Sequence, residues 1–322
     1  MSPDLPADAP DAGAPRPGFS VVVPVYNSER SLEELYDRLA ATFTGMEQNF
    51  EVVFVDDGSR DGSLAVLRSL HAAHPERVRV LSLYRNQGQQ VALMCGFQYC
   101  TGDLVVTIDD DLQQSPEDIP VLCEKLRQGY DAVFGSYQKK AHGFLQNLGS
   151  RLVRRLVQRI FGPPQGLEMS SFRLIRSDVV EHVKAYRTSF PYLSGMILST
   201  THLVANAEVR HDERRYGRSG YTLPKLVRLS FNLLVNYSAL PLKAIGWVGM
   251  GASLLAFVAG AVFMARQLLV GRAPAGWTSL AVLVSFFSGA IFAMMFVMAE
   301  YLSRLLTEVS NRPPHAVREI LE

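Results

Sequence analysis

Cysteine is scarce in this chain: Cys95, Cys100 and Cys123 make an odd three, with neither the paired spacing of a zinc site nor an even count for a disulfide framework. Reduced thiols in a cytosolic domain are the expectation. An excess of charge is also missing. Lys and Arg total 32 against 31 Asp and Glu, a net charge of +1, which gives no support to a bulk nucleic-acid binder. The G-x-G-x-x-G and P-loop glycines are absent, which disfavours dinucleotide oxidoreductases and P-loop NTPases, and the seven histidines form no H-E-x-x-H, which disfavours zinc. Residues 1–17 (M-S-P-D-L-P-A-D-A-P-D-A-G-A-P-R-P) lack the apolar core of a signal peptide and read as a disordered tail. Long uncharged apolar runs are nearly all confined to the sequence after residue 243.

What is present before that point is a repeating unit. Phe19 to Val25 predicts a strand, followed by the stiff turn Pro24-Val25-Tyr26-Asn27 and an amphipathic helix opened by Ser31-Leu32-Glu33-Glu34 at capping-box spacing. Glu51 to Val55 predicts a second strand, ending in Asp56-Asp57-Gly58-Ser59 and followed by a helix to about His74. Arg79 to Leu83 predicts a third, ending in Arg85-Asn86-Gln87-Gly88 and followed by a helix to about Cys100. The fourth is Val105 to Ile108, and it runs into three carboxylates, Asp109, Asp110 and Asp111. Strand, polar turn and helix in fourfold alternation predict an α/β fold with a doubly wound, mostly parallel sheet, whose ligands bind at the carboxyl ends of the strands.

The acid turn is the centre of this arrangement. Ser115-Pro116-Glu117-Asp118 reads as a helix start with a Ser N-cap and Pro at the first position, which leaves the acids in a short strand-to-helix turn. An isolated run of acids is usually a solvated loop. Like charges crowded at the end of an apolar strand repel unless a cation or donors compensate, and Asp109 and Asp111 could converge on one hard divalent ion. Asp57 could accept a hydrogen bond from a base N–H, and Tyr26 is either a packing ring or part of a ligand site.

Downstream, Tyr130 to Gly135 predicts a strand, and Phe144 to Phe161 a helix with one apolar face and flanking Arg151, Arg154, Arg155 and Arg159. That helix either packs on the sheet or lies on an anionic membrane surface, and the spans that follow favour the second. After Gly162-Pro163-Pro164, the stretch through Phe172-Arg173-Leu174 leads into a strand, and Val204 to Val209 predicts another. Arg210, Arg214, Arg215, Tyr216, Gly217, Arg218, Ser219, Gly220 and Tyr221 then form a basic loop suited to an oxyanion such as phosphate. Leu223 to Leu240 predicts an amphipathic helix. Ala244 to Ala265 and Ala273 to Ala299 are uncharged apolar runs, each longer than the roughly 20 residues that cross a bilayer. The expected organisation is a tail (1–17), a cytosolic catalytic domain (18–222), a juxtamembrane helix (223–242), a two-helix transmembrane hairpin (243–303) and a cytosolic tail (304–322). The distribution of Lys and Arg puts both termini in the cytoplasm. A membrane-anchored domain with a metal-phosphate site implies transfer from a soluble nucleotide donor to a lipid-borne phosphate.

The stretches V-V-V-P-V-Y-N, V-D-D-G-S-R-D-G-S, R-N-Q-G-Q and I-D-D-D-L-Q-Q-S-P-E, in this order, resemble glycosyltransferase family 2 with its GT-A fold. Through S-F-R-L, R-R-Y-G-R-S-G-Y and the terminal spans, the resemblance extends to the polyprenyl-phosphate glycosyltransferases of that family and covers nearly all of residues 19–312. It implies that Pro24, Tyr26, Asn27, Asp56, Asp57, Asp109 and Asp110 hold a nucleotide-sugar, most often a UDP-sugar. It implies that Asp109, Asp111 and Gln113 bind Mg²⁺ or Mn²⁺ on the diphosphate, and that Arg173, Arg215, Arg218, Ser219 and Tyr221 hold the lipid phosphate. Asp111 is the implied catalytic acid of the D-x-D pair. Members often carry an Asp just before the F-R dipeptide as a suggested base, but here Ser170 and Ser171 precede Phe172, and Glu168 is the nearest acid. A Lys usual after the Ser of the R-x-x-G-x-S loop is Gly220. The implied reaction is inverting transfer of the sugar to polyprenyl phosphate at the inner (plasma) membrane, with a homo-oligomer and a flippase as implied partners. The alternatives are a processive polysaccharide synthase, whose Q-x-x-R-W motif is absent, and a non-catalytic sugar-nucleotide-binding partner of a flippase.

Overall fold

The computed structural model describes residues 17–137, 158–186, 188, 191–210, 212, 276–309 and 316–322, with scattered positions between 242 and 269. They belong to two units, Met1–Ala141 with Phe161–Ser219 and Pro313–Glu322, and His142–Ile160 with Gly220–Arg312.

In the first unit the strands are β1 (Phe19–Val25), β2 (Phe50–Asp56), β3 (Val78–Leu83), β4 (Leu104–Thr107), β5 (Ala132–Tyr137), β6 (Arg173–Arg176), β7 (Val204–Val209) and β8 (Val317–Leu321). They form one sheet in the order β7-β5-β6-β4-β1-β2-β3-β8. Every residue of β1 and β2 is buried, as strands covered on both faces must be. The centre β4-β1-β2-β3 is parallel, and so is β5-β7, whereas β6 runs antiparallel to both β4 and β5, and β8 antiparallel to β3.

Alternation along the strands builds two cores. Val21, Val23, Val52 and Phe54 face one side with the buried stripes of α1 (Leu32–Gly45), α2 (Ser63–Ala73) and α4 (Ile119–Leu126). Val22, Val53 and Val55 face the other, with α3 (Gln89–Phe97), α5 (Ser177–Lys184) and α6 (Leu193–Thr200). The stripe of α1 shows the cause: Leu32, Leu35, Tyr36, Leu39 and Phe43 recur at helical spacing and are all buried. The α/β layered architecture expected from the sequence is therefore present, with helices on both faces of the sheet.

Three expectations are corrected. Neither Ser31 nor Ser115 caps a helix with its side chain. The Ser31 hydroxyl donates to the Asp110 carbonyl at 2.6 Å, and the Ser115 hydroxyl to Asp212 Oδ2 at 3.1 Å, so both serve the acid turn's surroundings. Residues 304–322 are not a plain tail. The helix begun at Trp277 continues to Val309, and Val317–Leu321 return to the sheet as β8. Helices α5 and α6 were not anticipated, because their apolar faces are short and interrupted by polar residues.

In the second unit, α7 (Trp277–Val309) has 33 residues, and its stretch Phe286–Ser303 has mean hydropathy 1.6. Among the described residues this is the one helix long and apolar enough to cross a membrane. Leu283, Phe286, Phe292 and Phe296 on it are exposed. The predicted tail 1–16, helix 144–161 (apart from helical residues 158–161), juxtamembrane helix and most of the first apolar run lie outside the described residues.

Candidate active site

Because β1 to β4 are parallel, their carboxyl ends meet on one edge, and the turns that follow them line a cavity of about 270 Å³. Pro24, Val25 and Tyr26 contribute from β1, Asp57 from the end of β2, Asn86, Gly88 and Gln89 from the link to α3, and Asp109, Asp110 and Asp111 from the end of β4. Four carboxylates thus face the cavity, and among the described residues no Lys or Arg lines it.

Asp57 braces two of these turns. Its Oδ1 accepts the Gln87 N–H at 2.7 Å and its Oδ2 the Gly88 N–H at 2.8 Å, and burial raises its carboxyl against the pull of those two donors. The two turns can meet because residue 58 is glycine: its φ is +68°, and a Cβ there would lie 2.9 Å from the backbone of Arg85 and Asn86. Each Asp57 oxygen keeps a lone pair for a ligand donor. Asp56 and Asn27 are different. Asp56 is buried and accepts from the Ser59 N–H and the Ser82 hydroxyl, each at 3.0 Å. Asn27, at φ +55°, accepts the Arg60 N–H at 2.8 Å. Neither lines the cavity, so the implied direct contact with the nucleotide-sugar gives way to a role in shaping the first two turns.

The three acids point to different neighbours. Asp110 Oδ2 accepts the Tyr26 N–H at 3.0 Å, which ties the acid turn to the β1 turn, and burial pushes its carboxyl up to about 6. Asp111 Oδ1 accepts the Gln113 N–H at 3.2 Å. Asp109 is the most elaborately held. Its Oδ2 accepts from the Ser171 hydroxyl at 2.6 Å and Gln114 Nε2 at 2.9 Å, its Oδ1 accepts from Gln89 Nε2 at 2.5 Å, and its own N–H donates to Gln114 Oε1 at 2.9 Å. Burial raises the Asp109 carboxyl, Ser171 and Arg173 lower it, and Asp111 adds to the rise. Sharp reversal of the chain after the triplet is set by Leu112, which has φ +59° while its side chain is buried in the core.

Arg173 is the buried cation behind this turn. It is 1% exposed, and its guanidinium donates to Thr107 Oγ1, the Ser171 carbonyl and Ser194 Oγ, 5.8 Å from the centre of the Phe134 ring. Burial lowers its pKa to about 10, so it stays charged near neutral pH, with Asp109 the first of the anions favouring that charge. In this structure Arg173, which the resemblance implies to hold a lipid phosphate, is enclosed behind Asp109 and does not line the cavity.

Hard oxygen donors, crowding and raised carboxyl pKa values suit Mg²⁺ or Mn²⁺. Among the described residues no group of three or more His, Cys, Asp or Glu could cage a metal by itself. Asp109 and Asp111 fit a site of the kind that takes its other ligands from phosphate oxygens and water. Gln113 does not line the cavity; its backbone carbonyl accepts the Asp212 N–H at 2.9 Å. Glu168 does not line it either; its N–H and carbonyl are held by the Asn206 side chain at 2.8 and 2.7 Å. Arg215, Arg218, Ser219 and Tyr221 lie outside the described residues. Sequence reasoning gave no role to Gln89, Gln114 or Ser171, although they lie inside the R-N-Q-G-Q, I-D-D-D-L-Q-Q-S-P-E and S-F-R-L stretches.

A cavity rich in carboxylates at the carboxyl edge of a parallel sheet, flanked by helices on both faces, defines a GT-A-like α/β domain. The glycosyl transferase family 2 model matches residues 20–184, and the chain belongs to that family of glycosyltransferases. The chain is 35% identical over 307 residues to the undecaprenyl-phosphate 4-deoxy-4-formamido-L-arabinose transferase of Edwardsiella ictaluri (strain 93-146), covering 94% of each. It is 34% identical to the protein of the same name from Sodalis glossinidius, covering 93% and 92%, and 31% identical to the uncharacterized glycosyltransferase YkcC of Bacillus subtilis, covering 94% and 93%. Glucosyl-3-phosphoglycerate synthase from Mycobacterium tuberculosis, solved with Mn²⁺ and UDP-glucose, aligns with a TM-score of 0.47 at 21% identity, over 68% of this chain and 77% of that one.

Proposed function

We propose that this glycosyltransferase moves a sugar from a nucleotide-sugar, a UDP-sugar by preference, to a membrane polyprenyl phosphate, with inversion at the anomeric carbon. The observation that carries the reading is the cavity with four carboxylates and, among the described residues, no lining cation, at the strand ends where an anionic diphosphate would bind. Charge balance there calls for a dication, and Asp109 and Asp111 would hold Mg²⁺ or Mn²⁺. Bound there, the metal supplies Lewis-acid neutralisation of the charge that grows on the departing nucleoside diphosphate.

The chain's own residues do the rest. Pro24, Tyr26 and Asp57 form the wall for the base and ribose, with the Tyr26 ring 42% exposed at the cavity. Asp110 keeps the β1 turn against the acid turn through the Tyr26 N–H. Ser171 and Gln114 keep Asp109 oriented, and with Arg173 they oppose the rise that burial causes in its carboxyl. An acceptor phosphate oxygen attacks the anomeric carbon while the glycosidic electron pair leaves with the nucleoside diphosphate. A phosphate monoester has a second pKa of about 6, so the acceptor is largely ionised near neutral pH and no base is required. Glu168, away from the cavity lining, is consistent with that. The arginines of the segment 214–218, with Ser219 and Tyr221, are suited by chemistry to the acceptor phosphate.

Chain order supports the membrane arrangement. The sheet contains both β1–β7, before the apolar runs, and β8, after them. Residues 19–209 and 317–321 are therefore on one side of any bilayer, and the intervening chain crosses it an even number of times. If α7 crosses once, Ala244 to Ala265 is the apolar run that supplies the return. Because nucleotide-sugars are cytoplasmic, both termini are then cytoplasmic.

The test is label transfer from a panel of nucleotide-sugars, including 4-deoxy-4-formamido-L-arabinose donors, to undecaprenyl phosphate in detergent, with Mg²⁺, Mn²⁺ or chelator. Metal-dependent label in the lipid phase is expected. Hydrolysis of donor without lipid labelling, for every donor, would overturn the acceptor assignment.

A further inference from the structure

The two oxygens of Asp109 are held by different kinds of partner. Oδ2 accepts from the Ser171 hydroxyl and from Gln114 Nε2 at 2.6 and 2.9 Å, and neither of those residues lines the cavity. Oδ1 accepts from Gln89 Nε2 at 2.5 Å, and Gln89 is an exposed member of the cavity lining. With Oδ2 taken up by two protein donors, Oδ1 is the oxygen that Asp109 has to offer a dication shared with Asp111.

The main chain around Gln89 is pinned, whereas its side chain is not. The N–H groups of Gln87 and Gly88 are fixed on Asp57 at 2.7 and 2.8 Å, and Gln90 Oε1 accepts the Leu193 N–H at 3.0 Å from the start of α6. Among the described residues, the bond to Asp109 is the one hydrogen bond that the Gln89 amide makes, so the amide can pivot without moving the first turn of α3. An amide N–H and a dication both bring positive charge to a carboxylate oxygen, so the two compete for Oδ1. An amide that has let go of Asp109 remains in the cavity lining, where no Lys or Arg stands among the described residues and an anionic ligand is short of donors.

We propose that Gln89 is a nucleotide-sugar-binding residue that alternates between two partners: without a dication its amide holds Asp109 Oδ1, and with that oxygen given up to a dication it donates to an oxygen of the nucleotide-sugar's diphosphate. This rests on the metal and nucleotide-sugar parts of the function proposed above. Gln89 then differs in sign from Ser171. Ser171 supports Asp109 as a ligand, whereas Gln89 competes with the ion and recovers its hydrogen bond only when the diphosphate arrives.

The experiment uses the full-length protein in detergent, as wild type, Gln89→Ala and Gln89→Met, with no lipid acceptor present. Mn²⁺ affinity without nucleotide is read from the EPR signal of the free ion, UDP affinity by calorimetry at saturating Mn²⁺ and again in chelator, and Tm for each protein. Loss of the competing hydrogen bond should tighten Mn²⁺ binding about three- to tenfold in both variants, the size of one ordinary hydrogen bond. UDP should bind about three- to tenfold more weakly at saturating Mn²⁺, and within about twofold of wild type in chelator, where the amide is engaged by Asp109. Mn²⁺ binding that weakens would make Gln89 a support of Asp109, and unchanged Mn²⁺ binding would remove the competition; either overturns the proposal. So does UDP affinity that falls equally with and without metal, or that does not fall with it. Should Gln89→Ala lower Tm, Gln89→Met decides, because it keeps the side chain's length and removes only its polar atoms. Wild-type protein that binds UDP but no Mn²⁺ would instead bring down the metal reading, and the alternation with it. Since no lipid enters these titrations, failure of lipid labelling in the transfer assay would strike the acceptor assignment alone.

Discussion

The Ser171 hydroxyl donates to Asp109 Oδ2 at 2.6 Å, and the same hydroxyl accepts from Gln114 Nε2 at 2.7 Å. One oxygen of Asp109 is therefore fully engaged by the protein, and the other faces Gln89 at the cavity. Removing the hydroxyl in Ser171→Ala should leave the fold intact and loosen the carboxylate. Supporting hydrogen bonds to metal ligands are worth roughly ten- to hundredfold in metal affinity or activity. A Mn²⁺ titration of transfer rate should show the midpoint shifted upward by that order, and an unshifted midpoint would count against the orientation argument.

Asp109→Asn and Asp111→Asn remove charge where the leaving diphosphate is neutralised. Transfer should fall by at least about 10² in each, the scale of losing a preorganised electrostatic contact. UDP binding measured in chelator should persist, because the base wall of Pro24, Tyr26 and Asp57 is untouched. Transfer that survives both substitutions would remove the metal role from this turn.

Arg173→Met separates a structural cation from a lipid-binding one. With Arg173 enclosed, the substitution leaves Thr107 and Ser194 without their donor and Asp109 without the nearby cation that favours its charge, and each buried polar group left unsatisfied costs about 1–3 kcal/mol. The expected outcome is a large fall in Tm, whereas an acceptor-binding arginine would show a raised acceptor KM at unchanged Tm.

The thiols provide a reporter for that measurement. Burial pushes Cys95 and Cys100 up to about 12 and Cys123 up to about 11, so each stays protonated and unreactive in the folded state until pH approaches those values. A thiol-reactive dye at pH 8 should label the native protein slowly and label three sites once it unfolds.

Deleting residues 317–322 would uncover the edge of β3, whose Tyr84 N–H also loses the Ala316 carbonyl if the cut is one residue earlier. An uncovered edge strand invites intermolecular pairing. The truncated protein should aggregate on size-exclusion chromatography, while Glu319→Gln, which only breaks the exposed pair with Arg68, should remain monodisperse.

Much of this protein was legible in its sequence for a local reason. Central strands buried on both faces are nearly continuous apolar runs, as in β1 and β2, so they could be placed from the local sequence, and the acid turn stood out because three carboxylates follow one such run. The same local character fixed the family motifs, and with them the cavity residues Pro24, Tyr26, Asp57, Asp109, Asp110 and Asp111. Tertiary structure decided everything that depends on which distant residues meet. It enclosed Arg173 behind the acid turn, gave Asp109 a partner 62 positions away in Ser171, turned Asp56 and Asn27 toward the turns they brace, and returned the last residues to the sheet as β8. The physical cause is common to all four: a polar side chain's role is set by the donors and acceptors left to it once the surrounding chain has excluded water, and no local pattern records who those will be.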